Sequence, residues 1–396
     1  MADFPSGFRF GSSTAAHQVE GGNSNNDWWA WEHRGRTTAM EPSGDAIDHY
    51  HRYEEDFALL ASLGQDAHRL SLEWSRIEPE PGEFSAAAIG HYRRVLGSLA
   101  EHGLTAYVTL HHFTLPRWLS ERGGWLAPDA VERFERFCER VAADLGDLMP
   151  FTCTVNEPQI VSLFGYLEGL HPPGERNPHL WRLVTGRLRE AHGAALRAFA
   201  GASSLGICLQ LPALEPARPD DPGCVALADE LRTEMWDAWL DPGIGGDWVG
   251  VQYYTRMRVD PAATTCFAPP PAGVPLTLMG WELHPEGLYE AIAGAASRTG
   301  LPVHITENGI AAADDGERIA YLRTHLEQVA RALRDGIDVR AYLYWSSFDN
   351  FEWAEGYRPT FGLIGIDRED GLRREVRPSA GAFGEVARTH SLRPLV

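Results

Sequence analysis

Apolar residues recur along this chain in two alternating patterns. Short runs dense in Val, Ile, Leu and aromatics occupy 8–16, 66–74, 105–113, 151–157, 205–213, 248–255, 303–307 and 339–348. Such composition suits strands covered on both faces. Between several of these runs the apolar residues return every three to four positions. In "HYHRYEEDFALLASLG" (49–64), Tyr53, Phe57, Leu60 and Leu63 fall near one helical face, and Gly64 supplies a stop. In "PDAVERFERFCERVAADLG" (128–146), Val131, Phe134, Phe137, Cys138, Val141 and Leu145 do the same, with Asp129 as a candidate cap. "GERIAYLRTHLEQVARALRDG" (316–336) is a third such stretch. Eight strands with intervening helices predict an α/β fold, a (β/α)8 (TIM) barrel. The alternative is a doubly wound open sheet, against which stands the lack of a Gly-rich phosphate loop after any strand.

The remaining bulk properties narrow this picture. A chain of 396 residues fits one large barrel spanning 1–396, and 44% hydrophobic residues can supply its core. The nearest thing to a linker is 261–275, with Pro269, Pro270 and Pro271 in a row. It reads as a long surface loop rather than an interdomain hinge, because strand-like and helix-like segments alternate on both sides. A net charge of -20 argues against nucleic acid and anionic membrane surfaces as partners. No apolar run is long enough to span a bilayer, and no basic region followed by an apolar one opens the chain, so a cytoplasmic location is expected. Five cysteines without a CxxC spacing read as reduced, mostly buried thiols. No metal site or cofactor is suggested, and a small molecule is the expected partner.

In a (β/α)8 barrel, function gathers at the C-terminal ends of the strands. Here those ends are polar and aromatic: His17, Gln18 and Glu20 after the first, Glu73, Trp74 and Arg76 after the second, then "LHHF", "NEP", "QYYT", "TENG" and "YWSSFDNFEW". Two ends present a glutamate beside an asparagine: Asn156–Glu157 on the fourth strand and Glu307–Asn308 on the seventh. One such glutamate is best read as a salt-bridged surface residue. Two across a tryptophan-lined mouth are the equipment for glycoside hydrolysis, one as acid and the other as nucleophile or base. The pair His111–His112 invites a metal reading. Adjacent strand residues point to opposite faces, however, so only one can reach the pocket.

Several stretches together resemble glycoside hydrolase family 1, the β-glucosidase family. They are "FRFGSSTAAHQVEG", "DHYHRYEEDFALLASLG", "HRLSLEWSRIEPEPG", "LHHFTLPRWL", "TVNEP", "GWELHPEGLY", "ITENG" and "YLYWSSFDNFEWAEGY" followed by "RPTFGLIGID". The resemblance runs in order from residue 4 to about residue 380. It implies an exo-acting retaining β-glycosidase, chiefly a β-glucosidase with some β-galactosidase or β-fucosidase activity. Glu157 takes the role of general acid/base and Glu307 that of nucleophile. Arg69 and Tyr254 support the nucleophile, and Asn156 bonds the sugar 2-hydroxyl. Gln18, His112, Glu352 and Trp353 hold the remaining hydroxyls, and Trp345 is the stacking platform. The two carboxyls are expected about 5–5.5 Å apart, with Glu157 protonated and Glu307 ionised.

Within that family, Glu352 and Trp353 stand where binders of 6-phosphosugars need Ser and Lys, and the presence of Glu157 distinguishes the chain from thioglucoside-cleaving members. Four departures stand out. Gln252 replaces the usual Asn. "HHFT" replaces His-Trp-Asp and removes an indole near the sugar. Thr152 stands where Trp is usual. The segment between the fifth helix and the sixth strand is short by several tens of residues, which predicts a more open site for the leaving group. An endo-acting glycanase of the same barrel clan and a non-catalytic carbohydrate-binding protein are the alternatives. The crowded set Gln18, His112, Glu352 and Trp353 argues against the first, and the presence of both carboxylates against the second.

Overall fold

The computed structural model describes residues 3–35 and 41–395. Met1, Ala2 and Val396, at the ends of the expected 1–396 unit, and residues 36–40 lie outside them. Eight strands close into a barrel: β1 (Arg9–Ser13), β2 (Ala67–Ser71), β3 (Thr105–His111), β4 (Phe151–Asn156), β5 (Ser204–Gln210), β6 (Trp248–Gln252), β7 (Val303–Asn308) and β8 (Val339–Trp345). Each pairs in parallel with its neighbours in chain order, and β8 returns to β1. The strands are buried along nearly their whole length, which is why they read as apolar runs rather than alternating ones. The closed ring excludes the open-sheet alternative.

One long helix follows each strand on the outside: His49–Ser62, Ala86–Glu101, Ala130–Leu145, Pro178–Ala198, Pro222–Arg232, Glu286–Thr299, Asp315–Arg334 and Pro378–Thr389. The helical periodicity marks the faces that turn inward. In Ala130–Leu145, Phe134, Phe137, Cys138, Val141 and Leu145 are all fully buried. Burying each of these larger apolar side chains stabilises the fold by about 1.5–3 kcal/mol. Asp129 does not cap this helix through its side chain. Its carboxylate accepts instead from Arg133 Nε at 2.6 Å and Arg122 Nη2 at 3.2 Å.

The expected strands overrun the observed ones at the mouth. β1 stops at Ser13 rather than at 16, and His17 and Gln18 lie on the helical turn Ala16–Val19. β2 stops at Ser71, β3 at His111, β6 at Gln252 and β8 at Trp345. The reason is burial without pairing. Residues just beyond the sheet line the cleft and its walls, so they are as buried as the strands themselves. Residues 261–275 run mostly as loop and contribute Phe267–Ala268 to a small sheet with Arg256–Val259 and Ala213–Pro216.

Candidate active site

The C-terminal ends of the strands surround a cleft of about 570 Å³. Eight of the ten expected site residues line it: Gln18, His112, Glu157, Tyr254, Glu307, Trp345, Glu352 and Trp353. The other two, Arg69 and Asn156, lie buried against the carboxylate of Glu307 and its neighbours. β4 and β7, which deliver the two glutamates, stand three places apart around the ring of eight, with β5 and β6 between them.

The backbone places these groups deliberately. Glu157 follows β4 in the left-handed region, φ 43°, and Pro158 opens the short helix Pro158–Ser162 directly after it. Proline's fixed φ and missing N–H suit a first helical position, so the chain leaves the sheet immediately past the carboxylate. Phe113 and Trp353 also carry positive φ, 69° and 50°, and both line the cleft. Strained backbone of this kind, about 1–3 kcal/mol per residue, collects where side chains must be aimed against local preference.

The two glutamates have opposite surroundings. Glu307 is held by three donors. Arg69 Nη1 and Gln252 Nε2 (2.7 Å) both donate to Oε1, and the Tyr254 hydroxyl donates to Oε2 at 2.5 Å. Among the described residues no side chain donates to the Glu157 carboxyl. Burial pushes Glu157 well above the usual carboxylate range, and the nearby Glu307 charge adds to it. Burial raises Glu307 as well, but the Arg69 charge and the Tyr254 hydroxyl pull against it. Of two carboxyls sharing one low-dielectric site, the hydrogen-bonded one ionises first.

Arg69 also donates to Asn156 Oδ1 at 2.5 Å and to Thr109 Oγ1 at 3.1 Å. Asn156 Nδ2 lies 3.3 Å from His112 Nε2. Burial, chiefly, and the Arg69 charge hold His112 far below its ordinary value, so the ring is neutral, and its Nδ1 has no partner among the described residues. Gln18 donates to Asn350 Oδ1 (3.0 Å), the Phe351 carbonyl (2.9 Å) and Glu352 Oε2 (3.4 Å), while its own Oε1 has no partner among the described residues. Buried polar atoms without protein partners are costly unless a ligand or water meets them. Burial raises Glu352 to about 8, with Glu307 adding to the shift. The ring of His112 lies nearly parallel to those of Trp345 and Trp353, at 15° and 14°.

Several strand-end residues serve the walls instead. His111 packs edge-on against Trp125 and Phe134, away from the cleft, so the two histidines do part to opposite sides. Asn308 is not a twin of Asn156. It donates to the Tyr253 carbonyl (2.6 Å) and accepts from the Tyr342 hydroxyl (2.7 Å). Glu307 and Asn308 are neighbours within β7, so strand alternation turns Asn308 away from the cleft, whereas Glu157 lies past the end of β4 in the left-handed region, where alternation no longer applies. Glu73 bonds Thr114, Ser75 and Asn23, and Glu20 pairs with Arg76 at 2.8 Å; these brace the loops after β1 to β3. Thr152 bonds Ser203 at 2.8 Å on the helical side of the barrel, so this departure does not touch the cleft. Phe113, from "HHFT", lies 5.0 Å from the ring of Trp353 and lines the cleft.

Sequence reasoning missed the outer wall: Ile160, Phe164, Leu170, Met257, Trp281 and Phe361. Trp281 lies inside "GWELHPEGLY" and packs 5.5 Å from Tyr254, so that motif already contained the signal. It also flagged Gln252 only as a departure. Gln252 Nε2 bridges Glu307 Oε1 and Asn156 Oδ1, the latter at 2.8 Å.

A parallel eight-stranded barrel with two buried glutamates in a tryptophan-lined cleft defines a glycosidase-type scaffold. The model of glycosyl hydrolase family 1 matches residues 1–264 and 256–392, and the chain belongs to that family. It is 32% identical to beta-glucosidase A of Acetivibrio thermocellus over 448 aligned positions, which cover 98% of both chains. It is 33% identical to the bifunctional beta-D-glucosidase/beta-D-fucosidase of Bifidobacterium breve, covering 92% of this chain and 94% of that one. Among solved structures it resembles the beta-glycosidase from Pyrococcus horikoshii, with a TM-score of 0.91, 36% identity and coverage of 98% of this chain and 96% of the other. Among the described residues no helix is long and apolar enough to cross a membrane.

Proposed function

We propose that residues 1–396 form one exo-acting retaining β-glycosidase, chiefly a β-glucosidase with β-galactosidase or β-fucosidase side activity. The observation that carries the reading is the asymmetry of the two carboxyls: three donors on Glu307, none on Glu157, in one cleft. Glu307, held ionised, attacks the anomeric carbon. Glu157, held protonated, donates its proton to the departing glycosidic oxygen. Water then enters, Glu157 takes its proton as base, and the glycosyl–Glu307 ester is cleaved with overall retention.

The crowded polar and aromatic set that lines the cleft supports exo action. Gln18 and His112, each with a buried polar atom unpartnered among the described residues, and the Glu352 carboxyl line the cleft with Trp345 and Trp353 and suit sugar hydroxyls. Asn156, oriented by Arg69 and Gln252, contacts the 2-hydroxyl. The names of the relatives support glucose and fucose as sugars. An alignment of 448 positions over 98% of a 396-residue chain means that the relative carries inserts. The crossing at 238–247, from the helical segment ending at Asp237 to β6 at Trp248, lies at the N-terminal face of the barrel, where the Asp247 N–H donates to the Leu205 carbonyl, so it does not open the leaving-group side. The setting is the cytoplasm, in keeping with five unpaired thiols.

Proton NMR of the first sugar released from an aryl β-glucoside tests the reading. The β-anomer is expected, and the α-anomer as first product overturns it.

A further inference from the structure

The outer half of the cleft contains a charge that the chemistry above does not use. Arg176 lines the cleft and is exposed, in the loop between Pro158–Ser162 and the helix Pro178–Ala198. Among the described residues it has no carboxylate partner. The carboxyls lining the same cleft are otherwise compensated. Glu307 is paired with Arg69, and Glu355 with Arg358. Burial raises the other two, Glu157 and Glu352, and so favours their uncharged forms. Among the described residues Arg176 is therefore the cleft-lining charge without a partner of opposite sign, despite a net charge of -20 for the whole chain.

Its seat is built. Gly169, at φ +67°, leaves room for the arginine stem: a Cβ there would sit 3.0 Å from Arg176 Cγ and 3.1 Å from Nε. Beside it, Phe164, Leu170, His171 and Met257 form an apolar wall. His171 carries no charge, because burial lowers it to about 3. This wall belongs to the leaving-group side. It follows Glu157 in the chain and rises from β4 and β6, whereas Gln18, His112 and Glu352 come from β1, β3 and β8.

We propose that Arg176 and this wall form an aglycone subsite for an aromatic ring bearing a carboxylate, so that β-glycosides of aromatic acids are favoured substrates. The inference rests on the β-glycosidase reading and specifies its substrate class. The ring packs on Phe164 and Met257, and the planar guanidinium receives the carboxylate in a bidentate contact.

The test compares kcat/KM on 4-carboxyphenyl β-glucoside and its neutral carboxamide, for the wild type and Arg176→Gln. The substitution is expected to cost the acid about fivefold more than the amide, chiefly in KM, as suits a partly exposed ion pair. Added salt narrows the acid's advantage in the wild type only. Gly169→Ala, which displaces the arginine without removing it, lowers the same ratio. Equal losses on acid and amide overturn the subsite while leaving the glycosidase reading intact. If the wild type hydrolyses neither these nor 4-nitrophenyl β-glucoside, the glycosidase reading itself fails, and the subsite with it.

Discussion

Gln252 donates to Glu307 Oε1 at 2.7 Å and, through the same amide nitrogen, to Asn156 Oδ1 at 2.8 Å. A single side chain thus couples the carboxylate assigned to attack with the amide assigned to the 2-hydroxyl. Its extra methylene, relative to the family's usual Asn, gives it the reach to serve both.

Replacing Gln252 by Leu removes a hydrogen bond to a charged acceptor, worth about 1.5–3 kcal/mol. The expected outcome is a fall in kcat/KM of roughly tenfold to a hundredfold. Substrates lacking the 2-hydroxyl should lose less, because the Asn156 contact is already absent. Steady-state kinetics on glucosides and 2-deoxyglucosides checks this.

The Tyr254 hydroxyl lowers the pKa of Glu307 by stabilising its charged form. Tyr254→Phe removes that stabilisation, so Glu307 holds its proton to higher pH. Activity requires the ionised form. The acidic limb of the kcat/KM profile is therefore expected to move to higher pH, with the alkaline limb little changed.

Three carboxyls in the cleft are raised by desolvation, Glu157, Glu307 and Glu352, and the alkaline limb belongs to the acid, Glu157. Glu157→Gln should abolish that limb, and Glu352→Gln should leave it while weakening glucoside binding. On substrates with poor leaving groups, Glu157→Ala is expected to lower kcat/KM by about 10²–10⁴. Added azide should then give the β-glycosyl azide with an activated substrate. Glu307→Ala with azide should give the α-azide.

The outer wall of the cleft is apolar and aromatic, built from Ile160, Phe164, Leu170, Met257, Trp281 and Phe361. Bulky aryl β-glucosides are expected to turn over faster than cellobiose. Equal or slower turnover contradicts this.

The barrel was legible because its staves are buried on both faces and its helices on one, and both conditions write a period into the sequence. The mouth blurred that period. Thr14 to Gln18 and Ser346 to Phe348 are as buried as the strands they follow, so burial alone could not show where pairing ends. Glu157 and Glu307 could be read as a pair because each interrupts an apolar run at a strand end. Gln252 and Arg176 could not. The bridge made by Gln252 depends on where β6 sets it between β4 and β7, and Arg176 is one arginine in a loop without periodicity. Asn308 shows the converse: a matching neighbour in sequence that faces the wall rather than the cleft.

The assignment of Glu307 as the attacking group is tested most directly by trapping. The enzyme is incubated with an activated 2-deoxy-2-fluoro-β-glucoside, which slows breakdown of the glycosyl-enzyme, and the labelled peptide is sequenced by mass spectrometry. The adduct is expected on Glu307. An adduct on Glu157 contradicts the assignment.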